Sequence, residues 1–402
     1  MANEKDEVLF SITKEQLETG LRGYPVGYCT SSSVDPMKGL FYVGKPVSEM
    51  TEWQPERVMF LLLFGFDGSP KEIEEFSKEI KERSKLSNEL KEAIWKLPRK
   101  AHPMRLFSIA LLLLGTFEGT SDWREDCLNV VAKVPLLAAE IIHHHAGWGP
   151  VKPVDPKLGY MQNFTQMLSV PGANYENLAE AFRLFNILHY DHGGGNLSTF
   201  IGKAVSSSLE DMYGSLAAAM CALAGPRHGR ANQDCLEFVQ QALEVLGEGA
   251  DEAQVEQYIR NRLDKNELIF GFGHAVLRVE DPRAQVFYQL AERKYGKNPL
   301  VKIATMIRKC GKKVLSENPK ISDPNPNVDA ISGVVLSAAG FPYPHYFTLL
   351  FGTSRAVGIA RQIVHDRVEA RDGKGTPIVR PKYLYKAPTP QVFGFREMNL
   401  SK

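Results

Sequence analysis

The chain predicts an all-α fold, and three observations carry that prediction. Apolar residues recur at helical spacing through 71–83, 124–142, 174–189, 234–246, 283–293 and 299–315. Two capping boxes, Thr13-Lys14-Glu15-Gln16 and Ser69-Pro70-Lys71-Glu72, mark helix starts, the second with Pro at the first helical position. Alternating strand patterns are few: residues 24–30 and 40–43 predict one small hairpin near the N-terminus.

The elements follow in order. The apolar runs at 58–66 and 106–115 are too short to span a bilayer and read as core helices. His143, His144 and His145 end the 124–142 pattern, where the helix dipole favours imidazole. Consecutive helical residues point in different directions, so these three do not chelate one ion. Residues 200–224, rich in Ala, Ser, Leu and Met, predict a buried helix that approaches its neighbours closely. Breakers fall at 147–157, 193–196, 225–232, 247–252, 318–327 and 371–382. The Pro-dense stretch before Asp329 leads straight into an apolar segment and reads as an ordered turn.

With 402 residues, 44% hydrophobic and 24% charged, the chain is long enough for a substantial core and more than one domain. A formal net charge of +1 gives no support to nucleic-acid binding or an anionic membrane preference. Five scattered cysteines without a CxxC pair fit reduced thiols, not a disulfide framework or zinc site. Residues 1–10 are too charged for a secretory signal. The expectation is a cytoplasmic protein, or one of an organelle matrix if a leader was removed.

Three short segments offer proton-moving groups beside glycines. His228 lies in Gly225-Pro226-Arg227-His228-Gly229-Arg230, either as a ligand-facing ring or as part of a basic surface turn. His274 follows Gly271-Phe272-Gly273, which reads as an anion-binding turn or a helix cap. It is no dinucleotide fingerprint, because the third glycine and the preceding strand are missing. Asp329 reads as a base or as a carboxylate stabilised at a helix N-terminus. Arg278, Arg283, Arg355 and Arg380 suggest an anionic ligand, since the guanidinium fork matches carboxylates. His189 and His192 have i, i+3 spacing, but no further motif completes a metal site.

Taken together, LAGPRHG, GFGHAVLRVEDPR and NPNVDAISG resemble the catalytic segments of citrate synthases. HYDHGGGN, FGTSRAVG and VRPK resemble that family's other active-site segments, in the same order, and the likeness runs from Gly20 to Lys382. HPM at 102–104 and NFT at 163–165 fit the eukaryote-like, Si-type branch. The resemblance implies a two-domain helical fold: a large domain of 1–229 and 341–402, with a small domain of 230–340 inserted. It implies a transferase of the tricarboxylic acid cycle that joins acetyl-CoA to oxaloacetate through an enol and then hydrolyses citryl-CoA. Asp329 is implied as the base, His228 as the donor to the enol oxygen and His274 as the acid at the oxaloacetate carbonyl. His192, Asn196, Arg283, Arg355 and Arg380 are implied to hold substrate, with Arg380 coming from the other subunit of a homodimer. Asn196 and Ser198 lie where the family orders the catalytic imidazole and a water, and Arg22, Arg278 and Lys320 match contacts to coenzyme A. No resident cofactor or metal is implied, coenzyme A being a co-substrate. Gly193, Arg227, Arg230 and Ile331 depart from the family's usual residues, which bears on substrate preference. Arg227 and Arg230 are expected to depress the His228 pKa. The rival readings are a 2-methylcitrate synthase using propionyl-CoA, a citrate-cleaving relative, and a catalytically silent helical scaffold.

Overall fold

The structure is a computed structural model that describes residue 8 and residues 10–387. The ends of the expected large domain, at 1–7, 9 and 388–402, lie outside the described residues. Fifteen α-helices and one three-stranded antiparallel sheet make up the regular structure among the described residues, apart from short 3-10 and π turns. The all-α expectation is met.

Two helices form the spine. α5 (Trp123–Ala146) and α15 (Phe347–Val364) are buried along most of their length and pack on each other. α5 is long and apolar enough to cross a membrane, but 94% of that window is buried inside the protein, as in a core helix. Pro135 inside α5 cannot close its own helical bond, and the Val131 carbonyl accepts instead from Tyr160 Oη at 2.6 Å. Around the spine lie α1 (Pro55–Phe64), α4 (Pro103–Glu118), α7 (Tyr175–His189), α8 (Leu197–Ser206) and α9 (Met212–Leu223). A second group is formed by α10 (Ala231–Leu246), α11 (Glu252–Asp264), α12 (Pro282–Tyr295), α13 (Pro299–Ser316) and α14 (Asp329–Ala338), which pack mainly on one another. α2 (Pro70–Arg83) opens with the expected box: Ser69 N–H donates to Glu72 at 2.8 Å. The Thr13 box heads only a short 3-10 helix, Lys14–Glu18.

Two sequence expectations are corrected. Residues 24–30 form no strand; β1 (Ser32–Asp35) pairs with β2 (Gly39–Tyr42), and Lys45–Pro46 adds a third strand. The turn is local chemistry: Asp35 Oδ1 accepts from Met37 N–H at 2.8 Å and Lys38 N–H at 3.0 Å. The single helix expected over 200–224 is two helices. Leu209 has φ +72°, and Asp211 caps α9 by accepting from Gly214 N–H at 2.7 Å. All five cysteines are free, with Cys127, Cys235 and Cys310 buried.

The Pro-dense stretch is ordered. Phe272 bridges Pro326, Gly273 N–H donates to the Asn325 carbonyl at 2.9 Å, and Asn327 N–H donates to the Gly271 carbonyl at 2.9 Å. This pins the His274 loop to the segment that precedes Asp329. The Phe272 ring fills the space beside Gly311 of α13, where an added Cβ would lie 2.2 Å from the ring. Gly311→Ala should therefore cost about 1–3 kcal/mol by overpacking, more than the helix propensity gained. Urea denaturation checks this, and an unchanged midpoint would show that Phe272 has room to move.

Candidate active site

α7 ends at His189, and the chain turns through Tyr190–Asn196 before α8 begins. Asp191, fully buried, fixes that turn. Its carboxylate accepts from Ser31 Oγ at 2.6 Å, Ser32 Oγ at 2.8 Å, His192 N–H at 2.9 Å and Gln362 Nε2 at 2.9 Å. The small sheet therefore braces the site. His189 and His192 diverge. His189 stacks on Phe185 with ring centroids 4.2 Å apart, bonds the Phe185 carbonyl at 2.7 Å, and is pushed down to about 3 by burial. His192 instead packs beside His274, centroids 5.2 Å apart, with Arg283 Nη2 at 3.4 Å. Burial and the two nearby arginines hold its pKa well below the ordinary value. Among the described residues, no group of three His, Cys, Asp or Glu side chains stands at metal-binding distance.

His228 follows α9. Its Nε2 lies 3.2 Å from Ser198 N and 2.9 Å from Ser198 Oγ. A backbone N–H only donates, so Nε2 is the acceptor and the neutral ring carries its proton on Nδ1. Burial first, then Arg355, lowers the His228 pKa to about 4. The expected cause, Arg227 and Arg230, is wrong. Both are exposed, and Arg230 pairs with Asp234 at 2.9 Å. The arginine that acts comes from α15.

His274 has the complementary tautomer. Its Nδ1 accepts from Val276 N–H and Leu277 N–H, both at 3.0 Å, leaving Nε2–H as the free donor. Burial and then Arg283 lower its pKa. No helix starts there, so the helix-cap reading is corrected: α12 begins eight residues later, at Pro282. Asp329 is the first residue of α14, its N–H bonded to Asn327 Oδ1 at 3.0 Å. Burial raises its carboxyl to about 6, against the pull of Arg283 and of Asn232, whose Nδ2 is 3.5 Å from Oδ1.

Two buried guanidiniums complete the cluster. Arg283 is clamped by Asp281, Nη2 to Oδ2 at 2.7 Å and Nε to Oδ1 at 3.1 Å. Burial opposes both charges, yet the pair holds Asp281 below and Arg283 above their ordinary values. Arg355 is 2% exposed; its Nε donates to the His189 carbonyl at 3.1 Å, and its guanidinium faces the Phe351 ring at 4.8 Å. Among the described residues it has no ion-pair partner, and burial lowers its pKa to about 10. A buried cation left unpaired is costly unless an anion joins it.

The sequence-predicted residues thus divide. His192, Asn196, His228, His274, Arg283, Asp329 and Arg355 form one electrostatically linked cluster. Arg22, Arg278, Lys320 and Arg380 are exposed on the surface. Arg278 Nη1 is spent on backbone carbonyls, the shortest to Leu277 at 2.7 Å. Val379 N–H bonds Ser207 Oγ at 2.9 Å, at the far end of α8 from Asn196. That tether fixes the segment before Arg380 at the C-terminal end of α8 in its own chain. Of the departures, Ile331 is fully buried in the core, whereas Gly193 has φ +73°, a conformation in which a larger side chain is strained.

Sequence reasoning missed Asp191, Asp281 and Asn232. Asp281-Pro282 is a capping signal that could have marked Asp281. Nothing local marks Asn232, which is 1% exposed and donates to Ser332 Oγ as well as to Asp329. Asn232→Leu removes a donor to the carboxylate, so the Asp329 pKa should rise further above about 6. Carboxyl 13C NMR titration reads this directly; an unmoved value would remove Asn232 from the site.

The profile described as "Citrate synthase, C-terminal domain" matches residues 20–382. The chain is 35% identical over 398 residues to "Citrate synthase 4, mitochondrial" of Arabidopsis thaliana, covering 93% of this chain and 82% of that protein. It is 33% identical over 392 residues to "Citrate synthase, peroxisomal" of Saccharomyces cerevisiae, covering 92% and 84%. The solved citrate synthase of Thermotoga maritima superposes with a TM-score of 0.79 at 26% identity, covering 92% of this chain and 96% of that one. The Thermoplasma acidophilum enzyme, solved as a ternary complex with carboxymethyl coenzyme A and oxaloacetate, superposes with a TM-score of 0.80 at 25% identity, again over 92% and 96%. Neutral imidazoles of opposite tautomer, a raised carboxyl and an unpaired buried arginine thus occur in a chain similar along nearly its whole length to these enzymes: it belongs to the citrate synthase family.

Proposed function

We propose that the chain condenses acetyl-CoA with oxaloacetate and hydrolyses the citryl thioester, releasing citrate and coenzyme A. The observation that carries this reading is Arg355, buried and without an ion-pair partner among the described residues, beside two neutral imidazoles and Asp329. Arg283, Arg355 and His192 hold the oxaloacetate carboxylates, and Arg380 adds a contact from the partner subunit of a homodimer. Arg22, Arg278 and Lys320 meet the coenzyme A phosphates.

Each step follows from protonation state. Asp329, raised to about 6, is a stronger base than an ordinary carboxylate and still ionised near neutral pH. It takes a proton from the thioester methyl group while His228 Nδ1–H donates to the developing enolate oxygen. The enol carbon attacks the oxaloacetate ketone carbon. The ketone oxygen, hydrogen-bonded by His274 Nε2–H, becomes a hydroxyl by taking that proton; the proton that Asp329 removed from the methyl group is released and restores the His274 imidazole, and citryl-CoA forms. Water then adds to the thioester carbonyl, the carbon–sulfur bond breaks, and the thiol leaves with a proton. Water must stay out until that last step, so closure should precede condensation. We assign the moving parts to a large domain of 1–229 and 341–402 and a small domain of 230–340. The mutual packing of α10 to α14 supports that division. His228 then lies beside one hinge, with His274 and Asp329 across it. Cytoplasm or an organelle matrix would each suit this chemistry; the relatives above are mitochondrial and peroxisomal.

In a thiol-release assay with oxaloacetate and a panel of acyl-CoAs, acetyl-CoA should give the highest kcat/KM. A preference for propionyl-CoA would move the assignment to 2-methylcitrate synthesis, and no release from any acyl-CoA would leave a silent scaffold. Asp329→Ala should abolish release while calorimetry still detects oxaloacetate. The group must be ionised to act, so kcat/KM should fall as pH drops through about 6. His228, held at about 4, stays neutral across that range. An acid limb near the ordinary carboxylate value would sink the assignment of Asp329 as base.

A further inference from the structure

A second cluster of titratable groups lies outside the site described above. His145 lies in the last turn of α5, and His345 belongs to the 3-10 turn Pro344–Tyr346, between α14 and α15. Their rings are 5.7 Å apart. Tyr346 Oη lies 2.8 Å from His145 Nδ1, and its ring is 4.1 Å from that of His345. Arg99 joins through Nε, which donates to the His145 carbonyl at 3.1 Å. His102 caps α4, its Nδ1 accepting from Met104 N–H at 3.2 Å.

The geometry points to a second anion site here, in which His102, His145, His345 and Arg99 take a phosphate-type oxyanion. The donor inventory is one-sided. With Nδ1 used as acceptor, His102 keeps Nε2–H free, and a Tyr346 hydroxyl that donates to His145 does the same for that ring. Among the described residues neither Nε2, nor either nitrogen of His345, has a protein partner. Three arginines act on these rings: Arg105 and Arg230 on His102, and Arg99 on His145. Tyr343 and Tyr346 are the other titratable neighbours. Arg230 has Asp234 as partner, but among the described residues no carboxylate pairs with Arg99, Arg105 or the three histidines. The N-terminus of sixteen-residue α4 adds positive potential at His102. Burial and the neighbouring positive charges hold all three imidazoles below their ordinary pKa. An oxyanion would reverse that balance, so binding should take up protons and tighten as pH falls.

Inorganic pyrophosphate titrated by calorimetry into the full chain is the test. Affinity should rise from pH 8 to pH 6, and His145→Gln/His345→Gln should weaken it about tenfold or more while leaving thiol release unchanged. Because pyrophosphate can also meet the catalytic arginines, the variant separates the two sites. Equal affinity in the variant, no heat at either pH, or the same effect from sodium chloride at matched ionic strength would overturn the proposal. Should the double variant fail to fold, Arg99→Gln, an exposed change, should weaken binding in the same direction, and unaltered affinity there counts equally against the site. ADP is the second probe: affinity above that of pyrophosphate assigns the anion to a nucleotide, and equal affinity to free phosphate.

Discussion

Asp281 and Arg283 meet at 2.7 Å in the first turn of α12, both nearly sealed from solvent. That contact conditions everything around it. Breaking such a buried pair by removing one partner costs about 3–5 kcal/mol, because a charge is left without water or counter-charge. Held in place, Arg283 reaches His192, depresses His274 and partly offsets the burial that raises Asp329. Arg355 of α15 has no such clamp among the described residues, and its charge remains open to an anionic substrate.

The imidazoles show how backbone geometry selects chemistry. His228 is fixed in one tautomer by Ser198 N–H, and His274 in the other by two successive N–H groups of its own turn. Each is left with a single free donor on a known nitrogen, and burial keeps both neutral. A donor that needs no reorganisation as charge develops is the kind of stabilisation that matters most in a dry site.

Much of this was legible along the chain, for a physical reason. The helices declare themselves because 3.6-residue periodicity and caps are local. The catalytic residue types were also visible, since glycines and prolines mark where backbone is bent around them. The hairpin was misplaced because Asp35-Pro36 sets the turn, and residues 24–30, mostly exposed, pair with no strand among the described residues. Residues 200–224 read as one helix because composition is uniform there, while a left-handed Leu209 and the Asp211 cap divide it.

The amino-acid sequence by itself determined the helical class, the proton-moving residues and the family, because periodicity, caps and ordered motifs are properties of the chain alone. Only the tertiary structure decided which arginine lowers the His228 pKa, which nitrogen of His228 is free, and that Asn232 meets Asp329. Those depend on electrostatics and hydrogen bonds between residues 30 to 127 positions apart. Distance in space, which folding sets and sequence spacing does not report, governs both.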